Sequence, residues 1–287
     1  MSDTLKQLLI QFAFVLPLFL AIWIVGMHHR KQRARSKLPF DGLRRRPAGE
    51  SLRARIEGFD EKINETILWL WVVPLVTGVI VGAKPMPAAS GWFLFLIACV
   101  WVGIWAWKLS KTYKQRCNYL LGFDGERYVA EELSILIADG FEVFHDAQFD
   151  GFNVDHMLVG KRGVFVVETK TRRKPVDEGR KKWEVEFDGA VLHWPMGPDA
   201  HGIAQAQNNA STVSQWLSKA VGEHVPVHAI LTLPGWWVHR KAPCSGVDIL
   251  NPKEIAKRCA SSKETLSDNL VKRVVYQLEQ KCALELT

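Results

Sequence analysis

Residues 153–170, NVDHMLVGKRGVFVVETK, carry an aspartate, a glutamate and a lysine at a spacing that two paired strands would bring together. The segment reads as two apolar strands joined at Gly160-Lys161-Arg162-Gly163. With Lys161 and Arg162 as the loop, antiparallel pairing sets Asp155 across from Glu168 and Asn153 across from Lys170. Side chains two apart on a strand share a face, so Asp155, Glu168 and Lys170 would project together. Like charges that face each other destabilise a hairpin. A divalent cation between them would reverse that penalty, and carboxylate oxygens suit Mg2+ or Mn2+.

The pattern D-(x12)-E-x-K resembles the core of the PD-(D/E)xK nucleases, and further pieces narrow the resemblance to the nuclease-related domain, NERD. They are Gly122-Phe123-Asp124-Gly125-Glu126 opening a helix, Val154-Asp155-His156 on one strand, Gly163 to Lys170 on the next, and Gln205 to Ala210 on a later helix. The resemblance covers roughly Gly122 to Leu217. It implies an α/β fold of the restriction-endonuclease-like kind, a mixed sheet flanked by helices, and metal-dependent hydrolysis of phosphodiester bonds. It also implies Asp155, Glu168 and Glu126 as ligands of Mg2+ or Mn2+, with a backbone carbonyl after Glu168. Lys170 would orient or deprotonate the attacking water. Gln205, which aligns better than Gln207, would accompany the metal site. Without the resemblance, Glu126 reads as a first-turn carboxylate favoured by the helix dipole, worth about 0.3–1 kcal/mol. Gln205 reads as part of a polar helix surface.

The elements that must hold these residues follow from local pattern. A helix is expected over Asp124–Ala138, capped by Asp124 and stopped by Gly140, and a first strand over Phe141–His145. Asp188-Gly189 signals a hairpin between Trp183–Phe187 and Ala190–Trp194, a candidate wall of a substrate groove. A helix over Ile203–Lys219 puts Gln205 and Asn209 on one face. The apolar run Val227–Leu233 suits a strand covered by helices. A strand at Gly246–Leu250, a short helix from Asn251-Pro252 and a last helix over Thr265–Glu279 complete the domain. His156 points away from Asp155 and reads as packing or hydrogen bonding.

Charge is unevenly placed. The chain of 287 residues has net charge +7, yet residues 28–55 alone carry ten Lys or Arg against Asp41 and Glu50. From Ser110 onward there are 23 basic and 23 acidic residues, so net charge gives no argument for nucleic acid there. Within that half, residues 161–182 hold nine basic residues against three acidic ones. Lys161, Arg162, Arg172, Arg173, Lys174, Arg180, Lys181 and Lys182 are therefore candidate phosphate contacts, with a solvated loop as the other reading. The five cysteines show no CxxC spacing and their odd number suits free thiols in a reducing compartment, so neither zinc nor disulfides are indicated.

Three apolar runs, Leu8–Met27, Thr66–Ala83 and Gly91–Trp107, approach the roughly 20 residues that cross a bilayer. Seven of the twelve tryptophans fall in them, as interfacial belts do. Lys and Arg gather on cytoplasmic loops, so the 28–55 loop is expected inside and the N-terminus outside. The expected organisation is an anchor at 1–27, a basic cytoplasmic loop at 28–65, a transmembrane hairpin at 66–109 and a cytoplasmic nuclease-related domain at 110–287. Leu52–Glu65 reads either as an amphipathic helix on anionic headgroups or as a solvated linker helix. The expected setting is a bacterial inner membrane with three spans. The expected partners are nucleic acid, DNA ahead of RNA, the lipid bilayer, and a second copy of the chain through the 66–107 region.

Three functions remain open on the sequence. One is a membrane-tethered nuclease acting on cytoplasmic nucleic acid. Another is a nucleic-acid-binding module on a nuclease-like fold without significant catalysis. The last is a membrane scaffold whose charges form only ion pairs.

Overall fold

The computed structural model describes residues 44–83, 87–175, 183–243 and 246–284, together with Met27. The expected first span, Met27 apart, and most of the basic loop lie outside the described residues. So do Arg180, Lys181 and Lys182.

The described residues divide into two compact units, one formed by 57–116 and the other by 44–56 with 117–284. In the first unit run the apolar parts of two long helices, α1 (Glu50–Ala83) and α2 (Ala88–Leu133). Both are long and apolar enough to cross a membrane, and almost none of their apolar surface is buried within the protein. The Trp69 and Trp105 rings stack at 6.2 Å, and the Trp101 indole N–H donates to the Trp69 carbonyl at 2.9 Å.

The second unit is built on a five-stranded mixed sheet. At its centre is β4 (Gly163–Thr169), an apolar run buried at all seven positions, as a strand covered on both faces must be. β2 (Glu142–Phe149), β3 (Phe152–Gly160) and β4 form an antiparallel meander. On its other edge β4 pairs in parallel with β8 (Val227–Thr232), which pairs in parallel with β10 (Val247–Leu250). The β3–β4 rungs run from Gly160–Gly163 to His156–Val167, the register expected from a two-residue loop. Asp155 and Glu168 therefore fall one level beyond the last rung, while Asn153 pairs with Gln148 on β2 instead of facing Lys170.

Helices cover both faces. On one, Ala206, Val213 and Leu217 of α3 (His201–Val221) and Leu270, Val274 and Leu278 of α5 (Asp268–Lys281) pack against Met157, Val159, Val164 and Val166. On the other, Val129 and Leu133 of α2 and Ile255 and Cys259 of α4 (Pro252–Ala260) cover Leu158, Phe165, Val167 and Ile230. Burying each such side chain contributes about 1.5–3 kcal/mol. The four free cysteines among the described residues include Cys259 and Cys282, whose thiols burial pushes up to about 12 and about 11. His145 and His156 face each other across β2 and β3 with their Nδ1 atoms 2.8 Å apart, one ring donating to the other.

A second, four-stranded sheet has the order β7-β6-β5-β9, from β5 (Glu184–Phe187), β6 (Leu192–Trp194), β7 (Gly197–Asp199) and β9 (Trp237–Arg240). The β5–β6 hairpin closes at Phe187–Leu192, so its loop has four residues where Asp188-Gly189 suggested two. The Asp188 side chain stabilises the longer loop by accepting from the Ala190 and Val191 N–H groups.

The structure corrects two expectations. No helix starts at Asp124, because α2 passes through Gly122 and Gly125 without a break and ends at Leu133 in a 3-10 turn, Ser134–Ile137. Asp124 is thus not a cap and Glu126 is not in a first turn, so no helix-dipole argument applies to it. Gly125 is needed for proximity, since a Cβ there would collide with the Thr171 hydroxyl. The other correction is that the domain begins before the first described apolar helix. A short strand, β1 (Arg44–Arg45), pairs antiparallel with β11 (Ala283–Leu284), and residues 44–56 cluster with the sheet domain.

Candidate active site

Lys170 follows β4, and its backbone N–H donates to the Thr232 carbonyl at 3.0 Å. Its ammonium then donates to Glu168 Oε1 and Gln205 Oε1, each at 2.8 Å. Gly202 lets α3 approach the lysine stem, since a Cβ there would stand 3.1 Å from Lys170 Cγ. Glu168 is almost fully buried, and its second oxygen accepts from Asn209 Nδ2 at 3.1 Å. Gln205 and Asn209 lie one turn apart on α3, so one helix face holds both ends of the Glu168–Lys170 pair.

Asp155 Oδ2 accepts the Thr169 N–H at 2.7 Å, beside Glu168. Glu126 reaches the same cluster from α2. It is buried, the Gly49 backbone N–H bonds to it, and its Oε2 has no hydrogen-bond partner. Burial pushes the Glu126 carboxyl up to about 8, with help from the nearby Asp146 and Glu168 charges. Burial also holds Asp155 well above the usual carboxylate range, reinforced by Glu168 and Glu126. Glu168 is raised by burial too, although Lys170 and Asn209 pull the other way. These are carboxyls short of positive charge.

A fourth acid completes the row. The rungs His145–His156 and Ala147–Val154 bracket Asp146 and leave it opposite Asp155. Its φ of 49° takes it out of the ladder, a conformation that aspartate tolerates better than most side chains. Its fully buried carboxylate accepts from Arg46 Nε at 2.8 Å, the Ser51 N–H at 3.0 Å and Asn153 Nδ2 at 2.5 Å. A terminal nitrogen of the Arg46 guanidinium lies 2.6 Å away. Asp146, Asp155 and Glu168 thus stand side by side on β2, β3 and β4. With Glu126 they make four carboxylates against the cations Lys170 and Arg46, a formal excess of two negative charges that matches one divalent ion.

The donor set fits a hard cation: carboxylate oxygens, one of them buried and unpartnered, with acidities that bound positive charge would restore. As they stand, no three His, Cys, Asp or Glu side chains among the described residues form a ready cage. Both Glu168 oxygens and one Asp155 oxygen are committed to hydrogen bonds within the protein.

Residues 121–234 match the family described as the nuclease-related domain, NERD. That stretch is similar to a nuclease-related domain. Among solved structures, that of Pyrococcus furiosus SfsA in complex with Ca2+ aligns at 14% identity over 56% of this chain, with a TM-score of 0.22. The alignment covers 54% of the SfsA chain, and an overlap that loose carries no weight for function. A search of curated proteins found no match.

The sheet domain brings Glu126, Asp155, Glu168, Lys170 and Gln205 together, whereas Gln207 faces outward on α3. The basic candidates are dispersed. Lys161 and Arg162 sit in the hairpin turn, some five residues or about 17 Å along the strands from Asp155. Lys161 is tied down there, pairing with Asp268 at 2.9 Å, while its carbonyl accepts from Thr265 and Leu266. That location removes both from the candidate site, because a hairpin separates its turn from its open end. Arg172 pairs with Asp199 and lies over the Trp194 ring, and Arg173 donates to the Cys117 carbonyl. Lys174 is exposed, 5.7 Å from the Trp183 ring centre.

The sequence pairs Asn209 with Gln205 on one helix face without giving it a role, and it gives no sign of Asp146 or Arg46. Asn209 had a signal, its i, i+4 spacing from Gln205. Asp146 is a lone acid inside a strand, and Arg46 one of ten basic residues in a loop, so neither stood out.

Proposed function

We propose that the protein is a membrane-anchored, divalent-metal-dependent nuclease that hydrolyses phosphodiester bonds in cytoplasmic nucleic acid, DNA in the first place. The observation that carries this reading is the cluster of Asp155, Lys170 and the buried Glu168 at the open end of one hairpin, within the residues that match the nuclease-related domain.

Asp155, Glu168 and Glu126 would hold Mg2+ or Mn2+. Bound there, the ion would supply Lewis-acid polarisation of the scissile phosphate and charge stabilisation. Lys170 orients the attacking water and offsets the negative charge that develops on the phosphoryl oxygens. Gln205 accepts from the Lys170 ammonium and fixes its direction, while Asn209 fixes Glu168 from the other side. Arg172, Arg173 and Lys174, just past Thr171, meet the phosphates flanking the scissile one. The two apolar helices fix the domain at a bilayer, with the nuclease-related domain on the cytoplasmic side.

The test uses the full chain in detergent micelles with a panel of linear, nicked, circular and single-stranded DNA and RNA. Wild type, Glu168→Ala and Lys170→Ala are assayed with Mg2+, Mn2+ or EDTA. Cleavage that needs the metal and is lost in both variants supports the proposal, and the panel identifies the substrate. A wild-type chain that cuts nothing and shows no Mn2+ binding by calorimetry overturns it. Binding of nucleic acid without cleavage would leave a binding module.

A further inference from the structure

We infer that Arg46, in the segment just ahead of the first described apolar helix, is a positioning residue of the site, acting through Asp146. The inference rests on the nuclease reading above and adds to it a part that lies outside the matched residues 121–234.

Asp146 is the only described non-glycine residue with positive φ, it is fully buried, and it stands beside Asp155 in the acidic row. A buried carboxylate in that place would repel the others unless it were neutralised. Arg46 neutralises it, with two guanidinium nitrogens within 2.8 Å of Asp146 Oδ2. The arginine is itself mostly buried, its side chain 14% exposed. A two-pronged contact of this kind fixes direction as well as charge.

From Asp146 the bonds continue into the site. Asn153 Nδ2 donates to Asp146 Oδ1 at 2.5 Å and to Ser51 Oγ at 3.2 Å. The Asn153 carbonyl accepts from Asn209 Nδ2 at 3.4 Å, and the same amide nitrogen holds Glu168. By a second route, the segment that Arg46 anchors delivers Gly49 to Glu126. The Gly49 backbone N–H bonds to the Glu126 carboxylate, and Gly49 has φ +74° with the Phe123 ring packed where a Cβ would project. The Ser51 N–H closes the segment back onto Asp146. Arg46 thus governs two of the proposed ligands, Glu168 through Asn153 and Asn209, and Glu126 through Gly49. It touches neither, nor would it touch the substrate.

Support from residues that orient metal ligands is typically worth a tenfold to hundredfold change in affinity or rate. The test compares full-length wild type, Arg46→Ala, Arg46→Lys and Arg46→Ala paired with Asp146→Asn, all in detergent micelles. Three quantities are read: kcat and KM of Mn2+-dependent cleavage, the Mn2+ dissociation constant by calorimetry, and the melting temperature. Arg46→Ala is expected to lower kcat about tenfold to a hundredfold, weaken Mn2+ binding by a similar factor and leave KM within about twofold. Arg46→Lys, which keeps the charge and loses the fork, should recover part of the loss. The paired variant no longer buries an unpaired carboxylate, so its melting temperature should return toward wild type while kcat stays low. If kcat and Mn2+ binding return with the melting temperature, or never change in Arg46→Ala, Arg46 is only a structural ion pair and the inference is overturned. A wild-type chain that neither cuts nor binds Mn2+ overturns the nuclease reading first, and this inference with it. Normal wild-type cleavage with unchanged Arg46 variants overturns this inference alone.

Discussion

Asp155 and Glu168 stand opposite each other on β3 and β4, one level past the His156–Val167 rung where the ladder ends. Folding alone would not select two facing acids whose carboxyls are both raised in pKa by desolvation. Removing one charge should therefore separate stability from function. Asp155→Asn keeps an oxygen for the Thr169 N–H and is expected to raise the melting temperature of the metal-free protein at pH 8. The gain should be on the order of 1 kcal/mol or more, while cleavage falls at least about a hundredfold. Thermal unfolding in EDTA beside a cleavage assay reads both. A melting temperature that falls would mean the carboxylate is a net stabilising partner.

Glu126 ties stability to pH. Its carboxyl titrates near 4.5 when exposed and at about 8 in the folded protein, so between those values the folded state holds the extra proton. Stability contributed by that proton is lost as pH rises through the window, by at most about 1.4 kcal/mol per unit. His145, lowered to about 4 by burial, works in the opposite sense as pH falls below 6.5, and His156 is lowered too. Between pH 6.5 and 8 the histidine contributions fall away, while the raised Asp155 and Glu168 carboxyls act in the same sense as Glu126, so the Glu126 share is read from the difference between wild type and a Glu126 variant. Calorimetry in EDTA over that range should show a falling melting temperature. Glu126→Gln should make the slope shallower, and saturating Mn2+, which favours the ionised carboxylates, should do so further.

Gly125 is where α2 meets the segment leaving the site. A Cβ at this position would collide with the Thr171 hydroxyl, and Thr171 directly follows Lys170. Gly125→Ala would ordinarily help a helix, yet here it should destabilise by about 1–3 kcal/mol, because the overlap forces the backbone to move. Gly58 on α1 has open space around it, and Gly58→Ala is the control that should show the helix gain of up to about 1 kcal/mol. Chemical denaturation of the two variants against wild type measures the contrast.

Much of this site was legible because a hairpin converts spacing into contact. Gly160 and Gly163 fixed the β3–β4 register, and the register fixed which acids meet. The run Val227–Leu233 pointed to a buried strand because it is apolar, short and stopped by Pro234, too short for a helix that crosses a membrane. Glu126 was found through the resemblance but given the wrong local setting. Two glycines and an aspartate look like a helix start, and only the packing of Thr171 against Gly125 explains a helix that runs through them. Arg46 and Asp146 are 100 residues apart and joined by one ion pair, a contact that no local pattern encodes.

Asn209 is the residue whose role most directly separates a working site from a passive ion-pair cluster. It donates to Glu168 Oε2 and touches no proposed substrate position, so its removal leaves the charges in place and only frees one carboxylate to turn. Asn209→Ala is expected to lower kcat and Mn2+ affinity together by about tenfold to a hundredfold. Gln207→Ala, on the outward face of the same helix, should leave both within about twofold. Steady-state cleavage with calorimetric Mn2+ titration makes the comparison. Equal, small effects at the two positions would mean that Glu168 needs no orienting partner and that α3 contributes only Gln205.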